Sequence, residues 1–148
     1  MPEAPARFGC TATATQTRTF AADPGGVAEA DDWIGAIGQG WGWSEKTAFA
    51  ARLCVAELFA NVLEHGRATP DDRVTVSLLR CTDGVGVVFA DTSAPFDPTA
   101  AVAPERAQSI EGATIAGRGL MLVHNYASDM AYRRDAGGNH LTFFVAAR

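Results

Sequence analysis

The sequence predicts a single α/β domain with a largely antiparallel sheet, on three observations. A length of 148 residues, 47% hydrophobic and 20% charged, suffices for one core and falls short of two full domains. Two segments carry apolar residues at helical spacing. Two pairs of β-patterned runs are each joined by a short turn containing Asp and Gly, the mark of hairpins, whose strands pair antiparallel.

In chain order, residues 1–10 are expected as a loose tail, and Thr11 to Phe20 (TATATQTRTF) alternates β-tolerant with polar residues, predicting an edge strand. Asp23-Pro24-Gly25-Gly26 signals a turn, after which Val27, Ala30, Ile34 and Ile37 predict a helix ending at Gly40. Ser44 is placed to cap a second, longer helix with Glu45 in its first turn and Gly66 as its stop after His65. On that helix Phe49, Leu53, Ala56, Ala60 and Leu63 are predicted to face the sheet. Arg73 to Leu79 and Val85 to Ala90 form a hairpin across Cys81-Thr82-Asp83-Gly84. Residues 92–116 are too long for a passive connection and predict a lid or binding loop. Leu120 to Tyr126 reads as a short helix, and Met130 to Arg134 with Leu141 to Ala146 as a second hairpin across Asp135 to Asn139.

Twelve basic against seventeen acidic residues leave a net charge of −5, with Lys46 the only lysine. That balance argues against electrostatic capture of nucleic acid or of an anionic membrane. Apolar runs are far shorter than a bilayer span and the N-terminus has no apolar signal segment, so a soluble cytoplasmic protein is expected. Cys10, Cys54 and Cys81 form no CxxC and are expected as free thiols. His65, His124 and His140 lack zinc-site spacing.

Three constellations carry chemistry. Glu57, Asn61 and His65 recur every four residues and span a helical arc of roughly 80°. A carboxylate one turn from a carboxamide supplies a base and a hard oxygen ligand, as a Mg²⁺-phosphate site requires, although a polar stripe alone is more often a solvated face. Asp91 ends an apolar strand ahead of Ser93, Pro95 and Pro98, so its carboxylate either enters a pocket as an acceptor for an exocyclic amine or closes the strand in an Asx-turn. Gly117-Arg118-Gly119 opens a helix, either as an anion-docking turn or as a plain hinge. Gly40 to Thr47 mimics a P-loop, but Glu45 stands where glycine must precede the lysine, and Gly84-Val85-Gly86 lacks a dinucleotide fingerprint's third glycine.

Taken in order, Glu57-x3-Asn61-x3-His65-Gly66, Asp91-x3-Pro95-Phe96-Asp97-Pro98, Gly117-Arg118-Gly119-Leu120 and the closing hairpin with Tyr132-Arg133-Arg134 and Gly138-Asn139 resemble the anti-sigma-factor serine kinases of the GHKL ATPase superfamily. The resemblance spans residues 11–148 and implies one kinase domain. Its fold would be a two-layer α/β sandwich, a mixed and mostly antiparallel sheet with helices on one face. It implies ATP and Mg²⁺ as cofactors, Asn61 as the metal ligand and Glu57 as the catalytic group that polarises the attacking hydroxyl. Asp91 is then the adenine N6 acceptor, Gly117, Arg118 and Gly119 lie by the phosphates, and His65 is a pocket wall. Ser93 departs from the family's usual glycine; its side chain would crowd the adenine or donate a hydrogen bond to it. The implied partners are a sigma factor or analogous regulator and an anti-anti-sigma antagonist, and a homodimer is admitted. The rival is a nucleotide-sensing module that sequesters a partner without phosphotransfer, a reading that Ser93 keeps open.

Overall fold

The computed structural model describes residues 11–66, 68–95, 97 and 123–147. Its elements run β1 (Ala14–Ala21), α1 (Pro24–Trp41), α2 (Glu45–His65), β2 (Arg73–Cys81), β3 (Gly84–Asp91), β4 (Ser128–Asp135) and β5 (Gly138–Ala146). The sheet order is β1-β2-β3-β5-β4, and every pairing is antiparallel. The sheet expected as mixed is therefore antiparallel throughout the described residues. The loop expected over 92–116 lies mostly outside them, as do Gly117, Arg118 and Gly119; of the helix expected from Leu120, residues 123–126 are described and helical.

Register explains the single core. Cross-strand neighbours Val76, Phe89 and Leu141, and likewise Leu78, Val87 and Phe143, point to the same face because side chains alternate with period two. With Phe20, Val74, Val85 and Val145 they bury against both helices. The other face of the β1–β2 pair is polar, with cross-strand hydroxyl pairs Thr17–Ser77 and Thr19–Thr75, each at 2.9 Å. Among the described residues, α1 and α2 thus cover one face of the sheet. No helix among the described residues is long and apolar enough to cross a membrane.

Helix α1 starts earlier than expected because the supposed turn signal is its first turn. Asp23 Oδ1 accepts from Gly26 N at 2.8 Å and Pro24 supplies a helix-compatible φ at N1. A Cβ on Gly26 would stand 1.9 Å from the Ala21 carbonyl oxygen, so only glycine lets α1 lie this close to β1. At the other end Gly42, φ 75°, donates to Gln39 O and Trp43 N to Gly38 O, a Schellman closure. Arg52 clamps α2 to α1 through both oxygens of Asp31, at 2.9 and 2.6 Å, and thereby holds that carboxyl below the usual carboxylate range.

The face expected to pack on the sheet is wrong for α2. The buried stripe is Ala51, Cys54, Val55, Leu58, Phe59 and Val62, on the order of 150° around the axis from the stripe expected. Phe49 is 57% exposed and rests edge-on against Tyr126 at 5.9 Å. Helix α2 is apolar nearly all round, so two stripes fit the 3.6-residue period. The one that prevails buries Phe59, in T-shaped contact with Phe89 at 6.1 Å, at about 1.5–3 kcal/mol for such a side chain.

Cysteine usage also needs correction. Cys81 is disulfide-bonded, with its partner outside the described residues. Pairing of Thr13 N with Arg80 O at 2.8 Å carries the chain ahead of β1 alongside the end of β2, a proximity that sequence spacing hides. Cys54 is a free buried thiol, pushed up to about 12 by burial and then by the charge of Glu57. At pH 8 only about one Cys54 in ten thousand is then thiolate. Iodoacetamide should leave it unmodified in the folded protein and alkylate it in urea, as read by mass spectrometry.

Candidate functional site

At one end of the sheet three elements converge. β3 ends at Asp91, β5 begins opposite it with Asn139, and α2 ends at His65 and Gly66. Between them lies a cleft walled by Leu58, Val62, Phe89 and Leu141 and carrying Asn61, Asp91, Ser93, Tyr132 and Asn139 as its polar groups. An apolar cleft with a few convergent polar groups is the usual form of a small-molecule site.

Asn61 flanks the buried stripe of α2 and is 4% exposed. Its Nδ2 donates to the Glu57 carbonyl oxygen at 2.9 Å. A carbonyl can only accept, so the amide orientation is fixed and Oδ1 faces away, toward the cleft. Oδ1 takes no hydrogen bond among the described residues, yet no described side-chain polar atom is both sealed from solvent and unpartnered. A hard oxygen is thus left open at the cleft.

Asp91 is arranged in the same way. Its Oδ1 accepts from Ser93 N at 3.0 Å, from the Ser93 hydroxyl, and from Asn139 Nδ2 at 3.0 Å. The first bond is an Asx-turn, and the same residue lines the cleft. Three donors on Oδ1 leave Oδ2 without a partner among the described residues. Ser93 therefore neither points freely into the cleft nor waits for a ligand; its hydroxyl donates to Asp91.

Two glycines bring these segments together. A Cβ on Gly66 would stand 2.5 Å from Ser93 Oγ and 2.8 Å from Val62 O, while Ala94 N donates to Gly66 O at 2.8 Å. Gly66 keeps right-handed φ of −83°, so it serves this close approach rather than a left-handed helix stop. Gly138, at φ 115°, would place a Cβ 2.1 Å from the Asp91 carbonyl oxygen. Only glycine seats the second hairpin against the end of β3.

The remaining expected residues are less central. Glu57 is half-buried one turn before Asn61 and does not line the cleft; its carboxylate has no hydrogen-bond partner among the described residues. His65, expected as a pocket wall, is instead exposed as the last residue of α2, 3.9 Å from Glu64, and Gly66 takes its place at the cleft. Asn139 and Tyr132 were not anticipated as site residues. In the sequence both stand only as parts of the closing-hairpin motif, with no site role attached.

Fold and site define an α/β domain with a cleft at one end of an antiparallel sheet, and comparison with known proteins makes the class specific. The histidine kinase-like ATPase domain family matches residues 20–145, and the chain belongs to that family. It is 36% identical over 102 residues to the serine/threonine-protein kinase BtrW of Bordetella bronchiseptica, covering 68% of this chain and 71% of the relative. Its fold matches the crystal structure of the RsbU and RsbW domains of Rv1364c from Mycobacterium tuberculosis, with TM-score 0.62 and 18% identity over 90% of this chain. The chain spans 32% of that protein's length.

Proposed function

We propose that this chain is an anti-sigma regulatory factor that binds ATP with Mg²⁺ in the cleft and phosphorylates a serine on an anti-anti-sigma antagonist, controlling transcription by partner switching. The observation that carries the reading is the pair of open oxygens, Asn61 Oδ1 and Asp91 Oδ2, held by separate elements at one apolar-walled cleft. An amine acceptor and a hard oxygen are what an adenine and a metal-bound triphosphate require at opposite ends. The kinase named among the relatives supports a phosphotransfer role.

The donor set fits Mg²⁺. Mg²⁺ takes oxygen ligands and keeps several waters, so Asn61 Oδ1 would serve as its single protein ligand beside phosphate oxygens and water. Bound there, the ion supplies charge neutralisation on the phosphates.

Asp91 Oδ2 accepts from the adenine amino group, and the walls of Leu58, Val62, Phe89 and Leu141 exclude water from the base. In the transfer, the seryl oxygen bonds to the γ-phosphorus while the bond to the β,γ-bridging oxygen breaks, ADP departs, and Glu57 takes the hydroxyl proton. Gly117, Arg118 and Gly119 are assigned to the phosphates from the family resemblance. Residues 11–148 act as one unit, in the cytoplasm, with a sigma factor or analogous regulator as the second partner and a homodimer as the assembly.

The test is binding itself. A ligand bound only by the native state at 100 times its Kd adds about 2.7 kcal/mol of stability. With Mg²⁺, ATP or ADP should therefore raise the melting temperature, and calorimetry should return one site per chain. Silence in both at millimolar nucleotide refutes the reading.

A further inference from the structure

We propose that Asn139 is the positioning residue that makes the cleft select a 6-amino over a 6-oxo purine, an inference that rests on the cleft being the nucleotide site. The argument begins with which way its carboxamide points. Asn139 Oδ1 accepts from the Tyr132 hydroxyl at 2.5 Å and from Arg134 Nη1 at 3.1 Å. A guanidinium has donors only, so the amide oxygen must lie on that side. Nδ2 is thereby turned to three acceptors: Asp91 Oδ1 at 3.0 Å, Ala94 O at 2.9 Å and Ser93 O at 3.4 Å. Asn139 is 4% exposed, and its orientation is set by its surroundings rather than by a ligand.

That orientation acts on Asp91. The two Ser93 donors belong to the turn that follows β3, whereas the Asn139 donor comes from the neighbouring strand β5. Held from both sides, the Asp91 carboxylate cannot swing out of its plane, and the one oxygen without an internal partner belongs to a cleft-lining residue. A fixed carboxylate oxygen accepts from an amino group and repels a carbonyl oxygen. Arg134 adds a second tie, donating through Nη1 to Ser93 O at 3.0 Å. Asn139 and Arg134 of the β4–β5 hairpin thus brace the acceptor.

Inosine triphosphate is the probe, because it differs from ATP only in carrying oxygen at C6 with a proton on N1. Binding of each nucleotide with Mg²⁺ is measured by calorimetry on the wild type and on Asn139→Ala. The wild type should prefer ATP by about tenfold or more, equivalent to about 1.4 kcal/mol. Asn139→Ala should weaken ATP about tenfold and leave inosine triphosphate within about twofold, so that the preference collapses. A merely structural Asn139 would weaken both nucleotides alike, and that result overturns the proposal while leaving the ATP site standing. Equal binding of both nucleotides by the wild type also overturns it. Binding of neither refutes the site reading and the proposal with it.

Should Asn139→Ala fail to fold, Arg134→Ala provides the second arm, since Arg134 is exposed and its removal takes one donor from each of Asn139 Oδ1 and Ser93 O. It should lower the ATP preference by about threefold, a partial loss of one orienting bond. An unchanged preference refutes the brace.

Discussion

Replacing Glu57 with alanine should leave ATP affinity within about twofold and lower phosphotransfer to the antagonist by roughly 10²- to 10⁴-fold, the range of a general base. The separation follows from which atoms of Glu57 do what. Its backbone carbonyl, which the substitution keeps, is the acceptor that orients Asn61. Glu57 does not line the cleft and its carboxylate makes no hydrogen bond to a described residue, so nucleotide contacts survive its removal. Single-turnover transfer from ATP to the purified antagonist, with calorimetry in parallel, checks both halves. Parallel loss of affinity and transfer would place Glu57 in nucleotide binding instead, and unaltered transfer would remove it from the chemistry. A wild type that binds ATP and transfers nothing would leave the sequestering module as the better reading.

How much of this was visible beforehand depends on how local the determining physics is. Both hairpins were legible because a two-residue turn and alternating side chains fix register within about ten residues. The pairs Cys81–Gly84 and Asp135–Gly138 close the two loops where the Asp- and Gly-containing turns predicted. The long helix was legible from Ser44, whose Oγ accepts from Thr47 N at 3.1 Å. Its buried face was not. Two stripes on α2 satisfy the same period, and the choice is made by β-strands that come later in the chain, through Phe89, Leu141 and Phe143. Sequence spacing also could not show that Gly26 and Gly66 are required by backbone approach, since Ala21 O and Ser93 Oγ reach them from other elements.

At the site, Asn61 and Asp91 were named from residue type and position, and the structure sets them at one cleft. His65 shared the same helical arc but sits one turn too far along, where α2 has ended. Asn139 was the hardest to foresee, because its role exists only through bonds to residues 46 and 48 positions earlier and to Tyr132 and Arg134 on the adjoining strand. A donor set assembled across three segments leaves almost no trace in any one of them.

Asp91→Asn should weaken nucleotide binding about a hundredfold while leaving the fold nearly intact. An asparagine there has one oxygen and one amide nitrogen to place. Ser93 N, the Ser93 hydroxyl and Asn139 Nδ2 all donate to the present Oδ1 position, so the new carboxamide must keep its oxygen there. Its NH₂ is then forced to where Oδ2 stood, facing the adenine amino group donor to donor. Loss of a hydrogen bond to a charged group with an unpaired donor left behind amounts to about 3 kcal/mol, about a hundredfold in Kd. The three internal bonds persist in weaker, uncharged form, so the melting temperature of the free protein should fall by only about 2–4 °C, corresponding to about 1 kcal/mol. Calorimetry with ATP and a thermal melt without it test the two halves together. A variant that melts normally and binds ATP like the wild type would show that Asp91 Oδ2 does not receive the base.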